Sequence, residues 1–198
     1  MRILGDRISG NCLKVKYTCD YLGLPYTWVD IDIMKGETRT PEFLALNPAG
    51  QVPVVQFDDG RSLAQSNAII RFLAAGTSLL PDNPYEQAKV DEWLFWEQYS
   101  NEPYVAVCRF QLRYLGRSRA SLEPERVRRG DAALDLMERV LAGCTWFVGQ
   151  RFSIADIALV AYTRLAHEGG FDLTPRPRLR AWIARCENAL GLEAAQAA

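Results

Sequence analysis

The chain has no surplus of charge: 23 lysines and arginines stand against 24 aspartates and glutamates in 198 residues, a formal net charge of −1. A general polyanion binder needs a basic surface, so nucleic acid is not an expected partner. Arg126, Arg128 and Arg129 do cluster, and that cluster is expected to be a solvated helix face rather than a phosphate site. Histidine is nearly absent. His167 stands alone, which excludes a multi-histidine metal site, and it is given no role. The five cysteines, at 12, 19, 108, 144 and 186, fall at no metal-ligand spacing. They cannot all pair within one chain, so a reducing, cytoplasmic setting and no metal are expected. No apolar run is long enough to span a bilayer, and Met1 opens on a short apolar strand without a basic leader-like stretch. Neither membrane association nor export is expected.

What is there divides into two rhythms. Up to Leu80, short strand-like runs alternate with helices. Strands are expected from Arg2 to Leu4, from Tyr26 to Ile31, and as a hairpin from Pro53 to Phe57 and Arg61 to Ala64 around Asp58-Asp59-Gly60. Helices are expected from Asn11 to Leu22, from Pro41 to Leu46 and from Ser66 to Ala75. Gly23 and Pro25 stop the first of them. The resulting order is β-α-β-α-β-β-α. Pro81-Asp82-Asn83-Pro84 then signals a linker, and no strand pattern follows it. The expected organisation is an α/β domain over 1–79, a linker over 80–86 and an all-helical domain over 87–198.

In the helical part, Val127, Leu134, Met137 and Leu141 form one apolar stripe, and Leu179, Trp182, Ile183 and Cys186 another. Phe152-Ser153-Ile154-Ala155-Asp156-Ile157 reads as the start of a buried helix, with Ser153 as N-cap, Asp156 at N3 and a Phe152/Ile157 staple. That cap is a folding device worth about 1 kcal/mol. A long helix is expected from about Tyr85 to Tyr114, kinked where Pro103 removes an amide donor and crowds the Tyr99 carbonyl. Asn101, Tyr104 and Cys108 share one of its faces, and either line a pocket for a second substrate or simply pack.

The most informative stretch is Asn47-Pro48-Ala49-Gly50-Gln51-Val52-Pro53-Val54-Val55, followed by Gln65-Ser66-Asn67. Proline at a strand start has no N–H to pair, and a cis bond there redirects the preceding backbone. Val52 is then free to offer its N–H and C=O to an extended, peptide-like ligand. Ser66, opening a helix, presents a hydroxyl and first-turn amides to a carboxylate.

Taken in order, Ser9-Gly10-Asn11-Cys12, the Asn47 to Pro53 stretch, Gln65-Ser66, Leu79-Leu80-Pro81 and Phe152 to Asp156 resemble the cytosolic glutathione transferases over nearly the full chain. The resemblance implies a thioredoxin-like N-terminal domain with a cis-Pro53, an all-helical C-terminal domain that supplies an electrophile pocket, and a homodimer. It further implies that Val52 pairs with the cysteinyl backbone of glutathione and that Gln65 and Ser66 hold its γ-glutamyl end. Gln51 and Lys35 would approach its glycyl carboxylate.

Such an enzyme works through a thiolate. Ionising a thiol of pKa near 8.5 at neutral pH takes a drop of about two units, or roughly 2.7 kcal/mol. A hydroxyl donor to the sulfur contributes about 1.5–3 kcal/mol, and a helix N-terminus roughly 0.3–1 kcal/mol. Ser9 is the expected donor, with Asn11 as a second or alternative one. Ser9-Gly10-Asn11-Cys12 has Cys-x-x-Cys spacing with its first thiol replaced by an alcohol, so two-cysteine disulfide exchange is excluded. Cys12, Val15, Cys19 and Leu22 fall at buried-face spacing, which makes Cys12 an expected core thiol. The expected activity is conjugation of glutathione to small hydrophobic electrophiles. Glutathione-dependent peroxide or disulfide reduction, and non-catalytic glutathione binding, are the alternatives.

Overall fold

The computed structural model describes residues 1–195, and the chain separates into two compact units, Met1–Thr77 and Ser78–Ala198. In the first unit, four strands form one mixed sheet: β1 (Arg2–Gly5), β2 (Thr27–Asp30), β3 (Val54–Gln56) and β4 (Ser62–Ala64). Their spatial order is β2-β1-β3-β4. β1 runs parallel to β2 and antiparallel to β3, with Leu4 opposite both Val29 and Val54. The helices of this unit are α1 (Gly10–Leu22), α2 (Pro41–Leu46) and α3 (Ser66–Leu73). The thioredoxin-like β-α-β-α-β-β-α order is therefore present, with one added 3₁₀ turn at Glu37–Arg39.

Side-chain alternation explains why both sheet faces are covered. Leu4 and Val54 pack on Phe43 of α2, ringed by Val29, Ile31, Leu46, Val52 and Ala64. Ile3 and Val55, also fully buried, point to the opposite face, where Gly5 lies against Cys12 and α1 packs on α3. Gly23 ends α1 in the left-handed region at φ 63°, with its own N–H bonded to Asp20 and the Leu24 N–H to Cys19 at 2.9 Å. Only a residue without Cβ adopts this conformation freely.

The second unit is helical: α4 (Pro84–Trp96), α5 (Val107–Arg113), α6 (Pro124–Val140), α7 (Ile154–Thr163) and α8 (Pro177–Leu190). The stretch read as a linker starts this unit instead. Leu79 and Leu80 are buried, and the Leu79 carbonyl accepts from the Ile154 N–H at 3.0 Å. Asn83 is the N-cap of α4, its Oδ1 accepting from the Tyr85 and Glu86 amides at 2.9 and 3.1 Å. The long helix expected to Tyr114 runs without a break as α4, a π-helical stretch over Glu97–Ala106 and α5. The missing Pro103 donor is absorbed across several widened turns rather than at one hinge. Its carbonyl is taken up by Arg126 Nη1 of α6 at 2.7 Å.

Every residue of α7 is buried, so polar groups at its start must find partners inside the protein. Ser153 and Asp156 form the capping box. Asp156 Oδ1 accepts from the Phe147 N–H at 3.1 Å and from Trp182 Nε1 at 2.9 Å, while Oδ2 accepts from the Ser153 N–H at 3.1 Å. Phe147 meets Trp93 and Trp182 edge-on, at 4.6 and 5.0 Å between ring centroids. The carboxylate thus fastens α7, α8 and the segment between α6 and α7.

Burial raises the Asp156 carboxyl from 3.8 to about 6, against the hydrogen bonds that lower it. Because the folded value lies above the unfolded one, its contribution to stability is full below 3.8 and is lost as pH rises through about 6. The unfolding free energy of the parent, measured against Asp156→Asn across this window, is predicted to fall relative to the variant and then level off. A difference that stays flat or rises with pH contradicts this.

Candidate active site

The loop between β1 and α1 is braced by Asp6, whose Oδ1 accepts from the Ile8 N–H at 2.9 Å and whose carbonyl accepts from the Ser9 N–H at 3.2 Å. Ser9 is the N-cap of α1, with extended backbone at φ −74° and ψ 123°, yet its side chain caps no helix amide. Its hydroxyl is near enough to Cys12 to help lower that thiol. The Cys12 thiol also accepts from the Asp6 N–H at 3.3 Å. Burial nevertheless pushes that thiol up to about 12, over the lowering by Asp6 and Ser9. Cys12 is a fully buried, protonated core group.

Asn11 lies in the first turn of α1, and its Oδ1 accepts from Ser66 Oγ at 3.0 Å. The two N-termini of α1 and α3 are tied together by this contact, across 55 residues of chain. The same oxygen accepts from Lys14 Nζ at 2.9 Å. Lys14 is 0% exposed, and the sequence reading assigned it no part in the site. Its one detectable signal was a position three residues after Asn11, where a helix brings side chains together.

The peptide bond before Pro53 is cis. Half-buried Val52 engages neither its N–H nor its C=O in a backbone hydrogen bond among the described residues. The preceding loop is built around Asn47, whose Nδ2 donates to the Gln51 carbonyl at 2.7 Å and whose Oδ1 accepts from the Ala49 N–H at 3.1 Å. Asn47 is only 6% exposed, and it is a second residue whose part was missed. Gly50 adopts φ 61°, and a Cβ there would sit 2.3 Å from Arg39 Nη1. Gln51 points to solvent.

Gln65 is the one non-glycine residue with positive φ, 69°, among those described. Such a conformation costs about 1–3 kcal/mol and persists where surroundings impose it. Here it immediately precedes Ser66, which is 4% exposed. Lys35 is placed differently from the rest. Its ammonium is 3.0 Å from Asp32 Oδ2, and that partner raises the lysine above its ordinary value. Arg39, not Lys35, lies over the loop, with Nη1 3.4 Å from the Ala49 carbonyl.

In the helical unit, Asn101 is 1% exposed and its Nδ2 faces Met137 Sδ at 3.7 Å, while Cys108 is fully buried. Arg129 Nη1 of α6 donates to the Tyr104 hydroxyl at 2.9 Å. Asn101 and Tyr104 thus each meet a side chain of α6. Arg128 and Arg129 both pair with Glu125 along α6. Among the described residues, no cluster of His, Cys, Asp or Glu assembles that would hold a metal ion, and no helix is long and apolar enough to cross a membrane.

Residues 8–75 match the family described as Glutathione S-transferase, N-terminal domain, and residues 95–189 match Glutathione S-transferase, C-terminal domain. The chain belongs to the glutathione S-transferase family. Among curated glutathione S-transferases, GstB of Escherichia coli is 31% identical over 188 residues, covering 90% of this chain and 88% of that protein. A solved glutathione S-transferase from Pseudomonas fluorescens superposes with a TM-score of 0.91 at 47% identity, over 94% of each chain. The protein URE2 of Candida maltosa is also similar, at 27% identity over 213 residues, 86% of this chain and 65% of that protein.

In this family member the Asn47 amide is expected to set the shape of the 47–52 loop. Asn47→Ala leaves the Gln51 carbonyl and the Ala49 amide without their partner and is predicted to cost about 1–3 kcal/mol, read by denaturant unfolding. A variant as stable as the parent would show that the loop holds itself.

Proposed function

We propose that this protein conjugates the thiolate of glutathione to small hydrophobic electrophiles. The observation that carries the proposal is the Asn11–Ser66 hydrogen bond at 3.0 Å, which sets the start of α1 beside the start of α3. A γ-glutamyl carboxylate at the first turn of α3 then leaves the cysteinyl portion lying along Val52 and its sulfur at the start of α1. Membership of the family and the cis Val52-Pro53 bond support the same placement. Gln65 and Ser66 hold the γ-glutamyl end, and Gln51 approaches the glycyl carboxylate. Arg39, lying over Gly50, is better placed at that loop than Lys35, which Asp32 occupies.

Ser9 activates the sulfur, because its hydroxyl stands at the N-terminus of α1 and is not used in capping that helix. Asn11 holds the neighbouring turn. Reaction proceeds by attack of the thiolate on the electrophile, with the thiol proton released to solvent. Glutathione itself supplies the reacting sulfur, since burial holds Cys12 protonated. Peroxide or disulfide reduction on this fold would therefore also run through the glutathione sulfur. A homodimer fits the large apolar side chains left in solvent on α4 and the π-helical run, Tyr85, Phe95 and Tyr99, at 74%, 75% and 84% exposure. A cytoplasmic setting fits five cysteines that are all free.

Glutathione is predicted to develop ultraviolet thiolate absorbance on binding at neutral pH, and Ser9→Ala to lower kcat about ten- to a hundredfold on an electrophile panel. Binding without a thiolate signal, or full activity in both Ser9→Ala and Asn11→Ala, would sink the mechanism. Affinity for glutathione without any turnover would make the protein a binding module instead.

A further inference from the structure

Lys14 is 0% exposed, an unusual location for an ammonium group. Lysine normally keeps its charge in water, and burying that charge is unfavourable unless the surroundings compensate. The charge is held one turn after Asn11, on the helix whose N-terminus faces the proposed thiolate position. A lysine Nζ only donates, so the Asn11 atom 2.9 Å away is the amide oxygen. The Ser66 hydroxyl meets the same oxygen at 3.0 Å. With its oxygen held by two donors, the Asn11 amide has a fixed orientation and its nitrogen end is turned away from Lys14. Positive charge at Lys14 also adds to the partial charge of the helix N-terminus. The neighbouring Cys12 sulfur feels it as a stabilising influence on its ionised form, though a minor one beside burial.

We propose that Lys14 is a positioning residue for the thiolate site: its buried charge orients Asn11 and favours the ionised form of a glutathione thiol bound at the start of α1. This rests on the glutathione-binding reading above. Lys14 need not touch glutathione. Its charge acts through Asn11 and through the field along α1, while the thiol proton leaves to solvent.

The test is a pH titration of bound glutathione by its ultraviolet thiolate absorbance, with glutathione affinity and thermal unfolding followed in parallel. Lys14→Gln keeps a hydrogen-bond donor but removes the charge, and is predicted to raise the apparent thiol pKa by about one unit or more. Lys14→Arg, which keeps the charge, is predicted to titrate close to the parent. Should Lys14→Gln fail to fold, Lys14→Met removes the charge at similar volume and carries the same prediction. Neutral variants that lose thermal stability yet titrate with the parent would reduce Lys14 to a packing group, leaving the glutathione reading intact. An arginine variant that shifts as far as the neutral ones would exclude a role for charge. A parent protein that binds glutathione with no thiolate band, or does not bind it, removes both proposals.

Discussion

The meeting of the first turns of α1 and α3 depends on a single amide oxygen. Asn11 Oδ1 accepts from Ser66 Oγ and from Lys14 Nζ, and through it the first turn of α1, the first turn of α3 and a buried charge are held in one place. The sheet makes that meeting possible. β1 and β3 are adjacent, with Leu4 opposite Val54, so the loop after β1 and the cis-proline loop before β3 emerge side by side. Each partner is ordinary alone. Joined, they bring a hydroxyl, a helix N-terminus and the Val52 backbone edge together, the surroundings that the proposed thiolate with peptide-like flanks would use.

The two units satisfy their buried polar groups by different means. In the N-terminal unit, positive φ and close approach fall at the proposed glutathione site: Gln65 at φ 69° and Gly50 under Arg39. These features are supported by a small core around Leu4, Phe43 and Val54. In the helical unit the polar investment is internal. Asp156 gathers two backbone amides, the Ser153 hydroxyl and an indole N–H, and four hydrogen bonds to one carboxylate outweigh what a single exposed cap contributes.

Much of this was legible in residue types and spacing. Pro53 after Val52, Ser66 at a helix start and Gly23 after α1 each have a local conformational reason, so each was readable without tertiary knowledge. The Ser153-Asp156 box was readable for the same reason, although its reach to Trp182 was not. Lys14 was invisible because lysine's average preference is for water, and periodicity marks only apolar faces. Asn47 carried a family resemblance but no stated role, since a side chain bracing its own loop leaves no periodic trace. Pro103 announced an interruption without revealing that π turns over Glu97–Ala106 would absorb it. Within that run Asn101 is buried with its amide against Met137 of α6. Asn83 read as linker because caps and linkers draw on the same residues. The pairing of Lys35 with Asp32 was not legible, because nothing in that loop's spacing foretold it.

The central claim is that the sulfur of glutathione lies at the start of α1 within reach of Ser9. A crystal structure of the protein with glutathione bound measures this directly. The account predicts the sulfur within about 3.5 Å of the Ser9 hydroxyl or the Asn11 amide, with the cysteinyl backbone paired to Val52 and Cys12 still enclosed. A sulfur turned away from α1, or joined to Cys12 in a mixed disulfide, would contradict it.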